Sequence, residues 1–154
     1  MAEDTSRLTL EWEEIGLLCE GLSFASRPFH GVIGEITEEF DLGPRGAWVV
    51  MLLANGMASY PREMADFFKI GRSLITAELN RLTEAGLISA TPSDEDRRQT
   101  RLELTEAGWK VRERMKRKLS ELVLERFAGY SREEILLCSR MLHDFRYGRT
   151  DEEA

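Results

Sequence analysis

The sequence has few of the features that membrane, secreted and metal-binding proteins need. It contains two cysteines, Cys19 and Cys138, which lie far apart and form no CxxC motif. This usage is typical of a reducing compartment and offers no zinc-ligand spacing. The longest apolar run, Ala47 to Ala54, covers eight residues, whereas a transmembrane helix needs about 20. Since the polar start, Met1 to Arg7, also lacks a secretory apolar stretch, we expect a cytoplasmic protein with no membrane partner.

Recognisable catalytic motifs are missing as well. The two histidines, His30 and His143, are far apart in the sequence. No Ser/His/Asp or Cys/His motif, phosphate-binding glycine loop or metal-ligand spacing can be identified. The sequence therefore predicts no enzyme, no catalytic or metal site and no cofactor.

Positive charge is scarce over the whole chain. The 154 residues include 21 Lys and Arg against 28 Asp and Glu, a formal net charge of -7. Taken alone, this total argues against nucleic acid as a partner, because phosphate binding needs positive charge. However, residues 1–43 hold 2 basic and 10 acidic residues, whereas residues 44–108 hold 8 and 9. The acidity lies near the N-terminus, so the total does not exclude a DNA partner.

Long amphipathic helices are predicted at both ends of the chain. Apolar residues recur every three or four positions from Ile15 to Phe40, with a kink or break expected at Pro28. This stripe is long for the edge of a monomer and is easier to explain if a second chain covers part of it. Near the C-terminus, Thr105 is a predicted N-cap for a helix ending at about residue 127. Ser131 and Glu134 form a capping box before a last helix that runs through residue 147.

The central region predicts a helix-turn-helix followed by a hairpin. Helices are expected from 44 to near 55, at 61–68 and at 73–85, and the last two are joined by a tight turn around Gly71. Strands are expected at 87–91 and 100–104, and the loop between them carries Arg97 and Arg98. In helix 73–85 the predicted inward residues are Leu74, Ile75, Leu79 and Leu82, and the predicted outward residues are Ser73, Thr76, Ala77, Asn80 and Arg81.

Four short motifs identify a family resemblance. They are GRSLIT at 71–76, NRLTEAGLI at 80–88, DEDRR at 94–98 and LTEAG at 104–108. Together they resemble the MarR family of bacterial and archaeal transcriptional regulators, and the resemblance covers nearly the whole chain. The fold class is predicted to be mainly α with a small β-hairpin wing, in one domain spanning 1–154. A winged helix-turn-helix at 44–108 is flanked by dimerisation helices at 8–40 and 109–147.

The resemblance implies a homodimer that binds a pseudo-palindromic site on double-stranded DNA. Helix 73–85 would enter the major groove, since short polar side chains and an arginine suit base edges and phosphates. Family knowledge assigns the minor groove to an arginine of the DRR motif, Arg97 or Arg98, oriented by Asp96. Glu78 is predicted to add negative charge nearby. The candidate DNA-binding residues are Arg62, Arg72, Ser73, Thr76, Ala77, Asn80, Arg81, Asp96, Arg97 and Arg98.

An effector site is also implied, because relatives bind small aromatic or phenolic anions between their dimerisation helices and the winged domain. The candidate effector-binding residues are Trp12, His30, Arg45, Trp48 and Trp109. A lone Trp or His on an apolar face is more often part of the core. Arg45, however, would pair well with a carboxylate ligand.

Three functions are compatible with this pattern. The favoured one is a DNA-binding transcriptional regulator, a repressor released by an aromatic or phenolic effector. A second is a winged-helix module that binds protein and not DNA, which the acidic total leaves open. A third is a redox-sensing regulator that uses Cys19, as some relatives do with a first-helix cysteine. Because the first two helices contain no tyrosine, a buried structural thiol is the favoured interpretation of Cys19.

Overall fold

A computed structural model of the chain describes residues 9–93 and 99–148. Two compact units are present, the first ending at Lys116 and the second beginning at Arg117. The mainly helical architecture with one hairpin confirms the predicted fold class, while the single domain remains a prediction. The elements are α1 (Trp12–Phe24), α2 (Arg27–Thr37), a 3-10 turn (Glu38–Phe40), α3 (Pro44–Ala54), α4 (Pro61–Phe68), α5 (Arg72–Glu84), β1 (Ile88–Pro92), β2 (Thr100–Leu104), α6 (Glu106–Arg126) and α7 (Arg132–Tyr147).

Proline residues mark three of the helix starts. The predicted interruption at Pro28 is a break: α1 ends at Phe24, and Pro28 lies in the first turn of α2. Pro44 and Pro61 are the first residues of α3 and α4. A first-turn N–H has no partner within its own helix, so proline loses nothing there, and its fixed φ suits a helix start.

The core of the first unit is built from both helices and strands. Ile75 and Leu82 of α5, Val49 and Val50 of α3, and Met64 of α4 are almost fully buried. Each large apolar side chain removed from water stabilises the fold by roughly 1.5–3 kcal/mol. The inner face of α5 is therefore held against its neighbours by a substantial apolar contact.

The hairpin pairs β1 and β2 antiparallel, from Ile88 opposite Leu104 to Pro92 opposite Thr100. Leu102 faces the core with 3% of its surface exposed. Arg101 and Glu103 lie on the exposed face, as their alternation predicted, and form an ion pair with an N–O distance of 3.3 Å. The N–H of Leu102 also donates to the carbonyl of Ser59 at 2.8 Å. The segment before α4 is thereby attached to β2.

The LTEAG motif has a structural explanation in the contacts of its threonine and glycine. The Thr105 hydroxyl donates to the Gly86 carbonyl at 2.6 Å and accepts from the Gly108 N–H at 3.1 Å. The Thr105 N–H donates to the Leu87 carbonyl at 3.1 Å. A Cβ on Gly108 would lie 2.1 Å from that same carbonyl oxygen. Thr105 therefore caps α6 as predicted, and Gly108 allows the α6 backbone to approach the segment that follows α5.

The second unit contains the end of α6 and all of α7. The predicted capping box is confirmed, because the Ser131 N–H donates to the Glu134 carboxylate at 2.8 Å and the Glu134 N–H donates to the Ser131 hydroxyl at 3.2 Å. The hydrogen bond from the Ser131 N–H, together with one from the Ser131 side chain, lowers the pKa of the Glu134 carboxylate below its usual value. No residue of α7 is buried. Its apolar stripe is therefore available to a partner.

Among residues 9–93 and 99–148, no helix combines the length and apolarity needed to cross a bilayer.

Candidate nucleic-acid interface

The turn between α4 and α5 differs in detail from the prediction. The left-handed residue is Lys69, with φ of 53°, and Gly71 is an extended N-cap before Arg72. The N–H of Ile70 donates to the Ala65 carbonyl at 3.2 Å, which closes the end of α4. The predicted turn is present, but its positive φ falls two residues before the glycine.

The outer face of α5 carries the predicted groove-contacting residues. Ser73, Thr76, Ala77, Asn80 and Arg81 are all exposed. On the inner face Ile75, Leu79 and Leu82 are buried, as expected. The Thr76 hydroxyl donates to the Arg72 carbonyl at 2.8 Å. Its methyl group and the two lone pairs of its oxygen are the parts that can contact a ligand.

Leu74 contradicts the prediction, because 54% of its surface is exposed. Successive helical residues are 100° apart, and Leu74 lies on the border between the buried and exposed sides of α5. Hydrophobicity alone assigned it to the core, while its position around the helix axis leaves it in solvent. An apolar side chain therefore accompanies the polar residues of this surface.

Glu78 also contradicts the prediction, since it is 7% exposed and does not lie on the outer face. A Cβ on Gly46 of α3 would come within 2.6 Å of its Oε1 atom. This oxygen has no hydrogen-bond partner in the described parts of the chain. Because Gly46 has no side chain, α3 can accommodate the carboxylate. The Glu78 carboxylate is consequently not presented on the outer face of α5.

The charges near this surface are mostly exposed. Arg72 and Arg81 are exposed and have no ion-pair partner among residues 9–93 and 99–148. Arg62 lies 4.0 Å from Asp66 in a well-exposed pair, and such pairs are worth little in water. All three guanidinium groups can therefore bind phosphate without breaking a strong contact.

The wing arginines and their neighbour lie outside the described residues, because Asp96, Arg97 and Arg98 fall within 94–98. The base of this loop is described. The Ser93 N–H donates to the Gln99 carbonyl at 2.8 Å, and Ser93 is buried. The Tyr60 hydroxyl lies 3.3 Å from the Ser93 hydroxyl. Sequence reasoning missed Tyr60, since nothing in the local pattern connects it to a residue 33 positions later.

Of the candidate effector residues, only His30 lines either of the two open clefts described in residues 9–93 and 99–148. His30 lies in an open cleft of about 460 Å³ lined also by Glu35, Glu38 and Asp41. Three carboxyl groups make that cleft unfavourable for an aromatic anion. The side chains of Trp12, Trp48 and Trp109 are 75%, 37% and 46% exposed, and Arg45 is exposed at the start of α3. Neither this cleft nor a second one of about 420 Å³ is lined by these four residues.

The prediction that Cys19 is a buried thiol is wrong for the single chain, because Cys19 is exposed. The physical reason is that α1 buries none of its residues. Cys138 is partly exposed on α7. Within the described residues, no group of three or more His, Cys, Asp or Glu side chains is arranged to hold a metal ion.

Apolar side chains are left in solvent on both terminal helices. On α1, Trp12, Leu17, Leu18 and Phe24 are at least half exposed. On α7, Met141, Phe145 and Tyr147 are more than half exposed. Monomeric proteins rarely expose large contiguous apolar patches, which usually mark interaction surfaces.

Comparison with known proteins gives a consistent family. The sequence model of the MarR family matches residues 40–99. The chain is 31% identical to the uncharacterized HTH-type transcriptional regulator YpoP of Bacillus subtilis over 109 residues, covering 70% of this chain and 77% of that protein. It is 33% identical to the HTH-type transcriptional repressor IacR of Pseudomonas putida over 99 residues, covering 64% of this chain and 59% of IacR. The match thus spans less than two thirds of IacR.

Solved structures share the fold. CouR of Rhodococcus jostii bound to p-coumaroyl-CoA superposes with a TM-score of 0.73 at 22% identity, covering 91% of this chain and 96% of CouR. A variant of Escherichia coli MarR complexed with operator DNA has a TM-score of 0.68 at 17% identity, covering 89% and 99%. With the helix-turn-helix, the hairpin and the sequence relatives, these findings show that the chain belongs to the MarR family of winged-helix, DNA-binding transcriptional regulators.

Proposed function

We propose that this protein is a homodimeric repressor that binds a pseudo-palindromic operator. The observation that carries the proposal is the outer face of α5, where short polar side chains are presented to solvent together with arginines that have no ion-pair partner among residues 9–93 and 99–148. The buried inner face holds the helix against α3, α4 and the hairpin. E. coli MarR, which shares the fold, is described in complex with operator DNA.

In the major groove, Ser73, Thr76 and Asn80 contact base edges, because they occupy the centre and one flank of the exposed face. Ala77 offers a methyl group that suits the thymine methyl. Arg72, Arg81 and Arg62 contact phosphates, which position the helix without reading sequence.

In the minor groove, Arg97 or Arg98 supplies the contact, and Asp96 orients it through a charge-assisted hydrogen bond. This assignment rests on the DRR motif and on the position of the loop at the end of the hairpin. Ser93 and Gln99 close the base of the loop. A slender two-stranded hairpin of this kind fits beside a duplex whose major groove holds α5.

Dimerisation through residues 8–40 and 109–147 accounts for the apolar surface of the terminal helices. α1 and α7 contain no buried residue. Two copies would bury these faces together, and a two-fold symmetric dimer matches a pseudo-palindromic site.

A titration against duplex DNA tests the proposal. The probe is the promoter region of the protein's own operon, and the measurement is fluorescence anisotropy at several salt concentrations. We expect affinity to fall steeply with salt. Arg81→Ala should reduce the salt slope by about 1, and Arg97→Ala combined with Arg98→Ala should weaken binding. Arg132→Ala in α7 is the matched control and should change neither quantity. If the wild type binds neither this promoter nor any member of a random duplex library, the DNA-binding proposal fails.

Release by a small aromatic or phenolic acid is the regulatory part of the proposal. Arg45 is exposed without an ion-pair partner in the described ranges, and Trp48 and Trp109 are incompletely buried. The CouR structure contains p-coumaroyl-CoA. A thermal-shift screen of aromatic acids should find a compound that stabilises the wild type and stabilises Arg45→Ala less. If no compound stabilises the wild type, release by an aromatic or phenolic acid is excluded, whereas the DNA-binding proposal is unaffected.

A thiol-based switch is a second candidate, favoured by the exposure of Cys19. It predicts that peroxide releases the wild type from DNA and leaves Cys19→Ser bound. Equal release of both proteins would exclude it.

A further inference from the structure

Leu74 is an exposed apolar side chain on the mainly polar outer face of α5. It is the third residue of the helix, and 54% of its surface is exposed. Helical spacing places Ala77 one turn further along the same side. The outer face therefore has an apolar flank, formed by Leu74 and Ala77, beside a polar flank formed by Ser73, Thr76 and Asn80, all of them exposed.

The packing of α5 keeps Leu74 in solvent. Ile75 and Leu79, on the inner face, are 1% and 6% exposed. The side chains of residues 74 and 75 point about 100° apart around the helix axis, so a rotation that buried Leu74 would withdraw Ile75 from the core. Because the burial of large apolar side chains holds this helix in place, the rotation is unfavourable and the leucine stays at the surface.

Two arginines indicate which kind of surface Leu74 meets. Arg72 and Arg81 are exposed, and their separation of nine residues places them on opposite edges of the outer face. Neither has an ion-pair partner among residues 9–93 and 99–148. A helix with a cation on each edge matches a groove bordered by two phosphate backbones. Duplex DNA is therefore favoured over an apolar protein surface, which would remove both charges from water without pairing them.

We propose that Leu74 is a specificity-determining residue that packs against the methyl group of a thymine in the major groove. The inference rests on the proposed DNA-binding function and deepens it by assigning a base preference to the apolar flank. Leucine has no side-chain donor or acceptor, so it cannot hydrogen-bond to phosphates or to base edges. The thymine methyl is the apolar group that the major groove presents. N-terminal residues of a recognition helix reach base edges, and Leu74 lies in the first turn of α5.

The test replaces thymine with uracil, which forms the same base pair and lacks only the C5 methyl. The duplex is one that the wild type selects from a random-sequence library, and its thymines are replaced one at a time. At one thymine of each half-site, uracil should weaken wild-type binding about fourfold, as expected when one methyl group is lost from an apolar contact. Leu74→Ala should bind the thymine duplex at least fourfold more weakly and should not distinguish uracil from thymine at that position, which gives the coupling in a double-mutant cycle.

Three controls accompany this measurement. Alanine is a strong helix former, so Leu74→Ala should keep its melting temperature, and its salt slope should equal that of the wild type because no phosphate contact is lost. Leu74→Met keeps an apolar side chain of similar size and should retain the preference for thymine. Met57, between α3 and α4, is 61% exposed. Met57→Ala is the matched control for loss of exposed apolar surface and should discriminate against uracil like the wild type.

The possible results separate the inference from the function on which it depends. If the wild type binds a duplex but no uracil substitution weakens it more than it weakens Leu74→Ala, the inference is wrong and the proposed function stands. The same holds if Leu74→Ala lowers the salt slope, because the leucine then acts by placing phosphate contacts. If the wild type selects no duplex, the proposed function and the inference fail together, which is the result that a protein-binding winged helix predicts.

Discussion

Residues 44–93 and 99–116, which we call the body, and the terminal helices α1 and α7 place similar apolar side chains in opposite environments. In the body, Leu82 and Met115 are completely buried. On α7, Met141 and Phe145 repeat at helical spacing but are 59% and 72% exposed. The periodic pattern is the same in both regions, whereas the body covers its stripes with its own elements and α7 does not. Amphipathic periodicity thus predicts an apolar helix face. Only the tertiary structure shows whether that face packs against elements of the same chain.

The largest expected effect comes from the close approach of α6 to the end of α5. Gly108→Ala would place a Cβ 2.1 Å from the Leu87 carbonyl oxygen and 3.1 Å from Leu104. Since backbone must shift, we expect a loss of more than about 3 kcal/mol in the free energy of unfolding. Gly129→Ala, where nothing lies within 4 Å, is the control. Equal denaturant midpoints for the two variants would show that this packing of the body is incorrect.

The second prediction compares a buried apolar residue of the body with an exposed apolar residue of α7. Leu82→Ala should cost about 2–5 kcal/mol in urea unfolding, because it leaves a cavity in the body. Met141→Lys should leave the fold intact but weaken self-association at least tenfold, about 1.4 kcal/mol, by placing a charge in an apolar contact. Sedimentation at several concentrations measures the association, with Arg140→Ala as the neighbouring control. A Met141→Lys protein that associates normally would remove α7 from the proposed interface.

The third prediction concerns the buried carboxylate of the body. Gly46→Ala brings a Cβ within 2.6 Å of the Glu78 Oε1 atom, which should cost about 1–3 kcal/mol. Glu78→Ala removes an oxygen without a partner in the described residues, so it should be tolerated and should rescue Gly46→Ala. Urea denaturation of the four proteins gives the coupling. Strict additivity would mean that the two residues do not face each other.

The smallest effect is expected at the exposed start of α7. Hydrogen bonds from the Ser131 backbone and side chain lower the pKa of Glu134. Stabilisation by this carboxylate is therefore present above the ordinary carboxyl pKa and is lost as pH falls through the lowered folded-state value. Glu134→Gln should lower the melting temperature slightly at neutral pH and leave it unchanged at strongly acidic pH. A difference that grows on acidification would contradict the assignment.

Much of the fold was predictable because local rules decide it. Pro28, Pro44 and Pro61 mark helix starts, Thr105 and Ser131 cap helices, and the alternation in 100–104 indicates a strand with one buried face. These features depend on backbone geometry and on neighbours within four residues. The LTEAG motif was visible as a pattern, but the contact of Thr105 with Gly86, 19 residues away, required the structure.

The outer face of α5 was predicted in part. Helical spacing correctly brought Ser73, Thr76 and Asn80 together. Leu74 was wrongly expected to face the core, and Glu78, expected to add negative charge nearby, is buried. Hydrophobicity ranks residues by type, whereas burial depends on which neighbours surround each position. A carboxylate is buried where Gly46 leaves room for it, and a leucine is exposed at the border of the helix face.

The sequence by itself determined the order of elements, the helix-turn-helix with its wing, and the family, since these follow from periodicity, capping and short motifs. Tertiary structure alone decided the link between Tyr60 and Ser93, the burial of Glu78 against Gly46, and the exposure of Cys19. All three depend on which elements pack side by side. Residues that are close in space but tens of positions apart in the chain produce no periodic pattern in the sequence. The sequence of a helix face also does not show which element will pack against it.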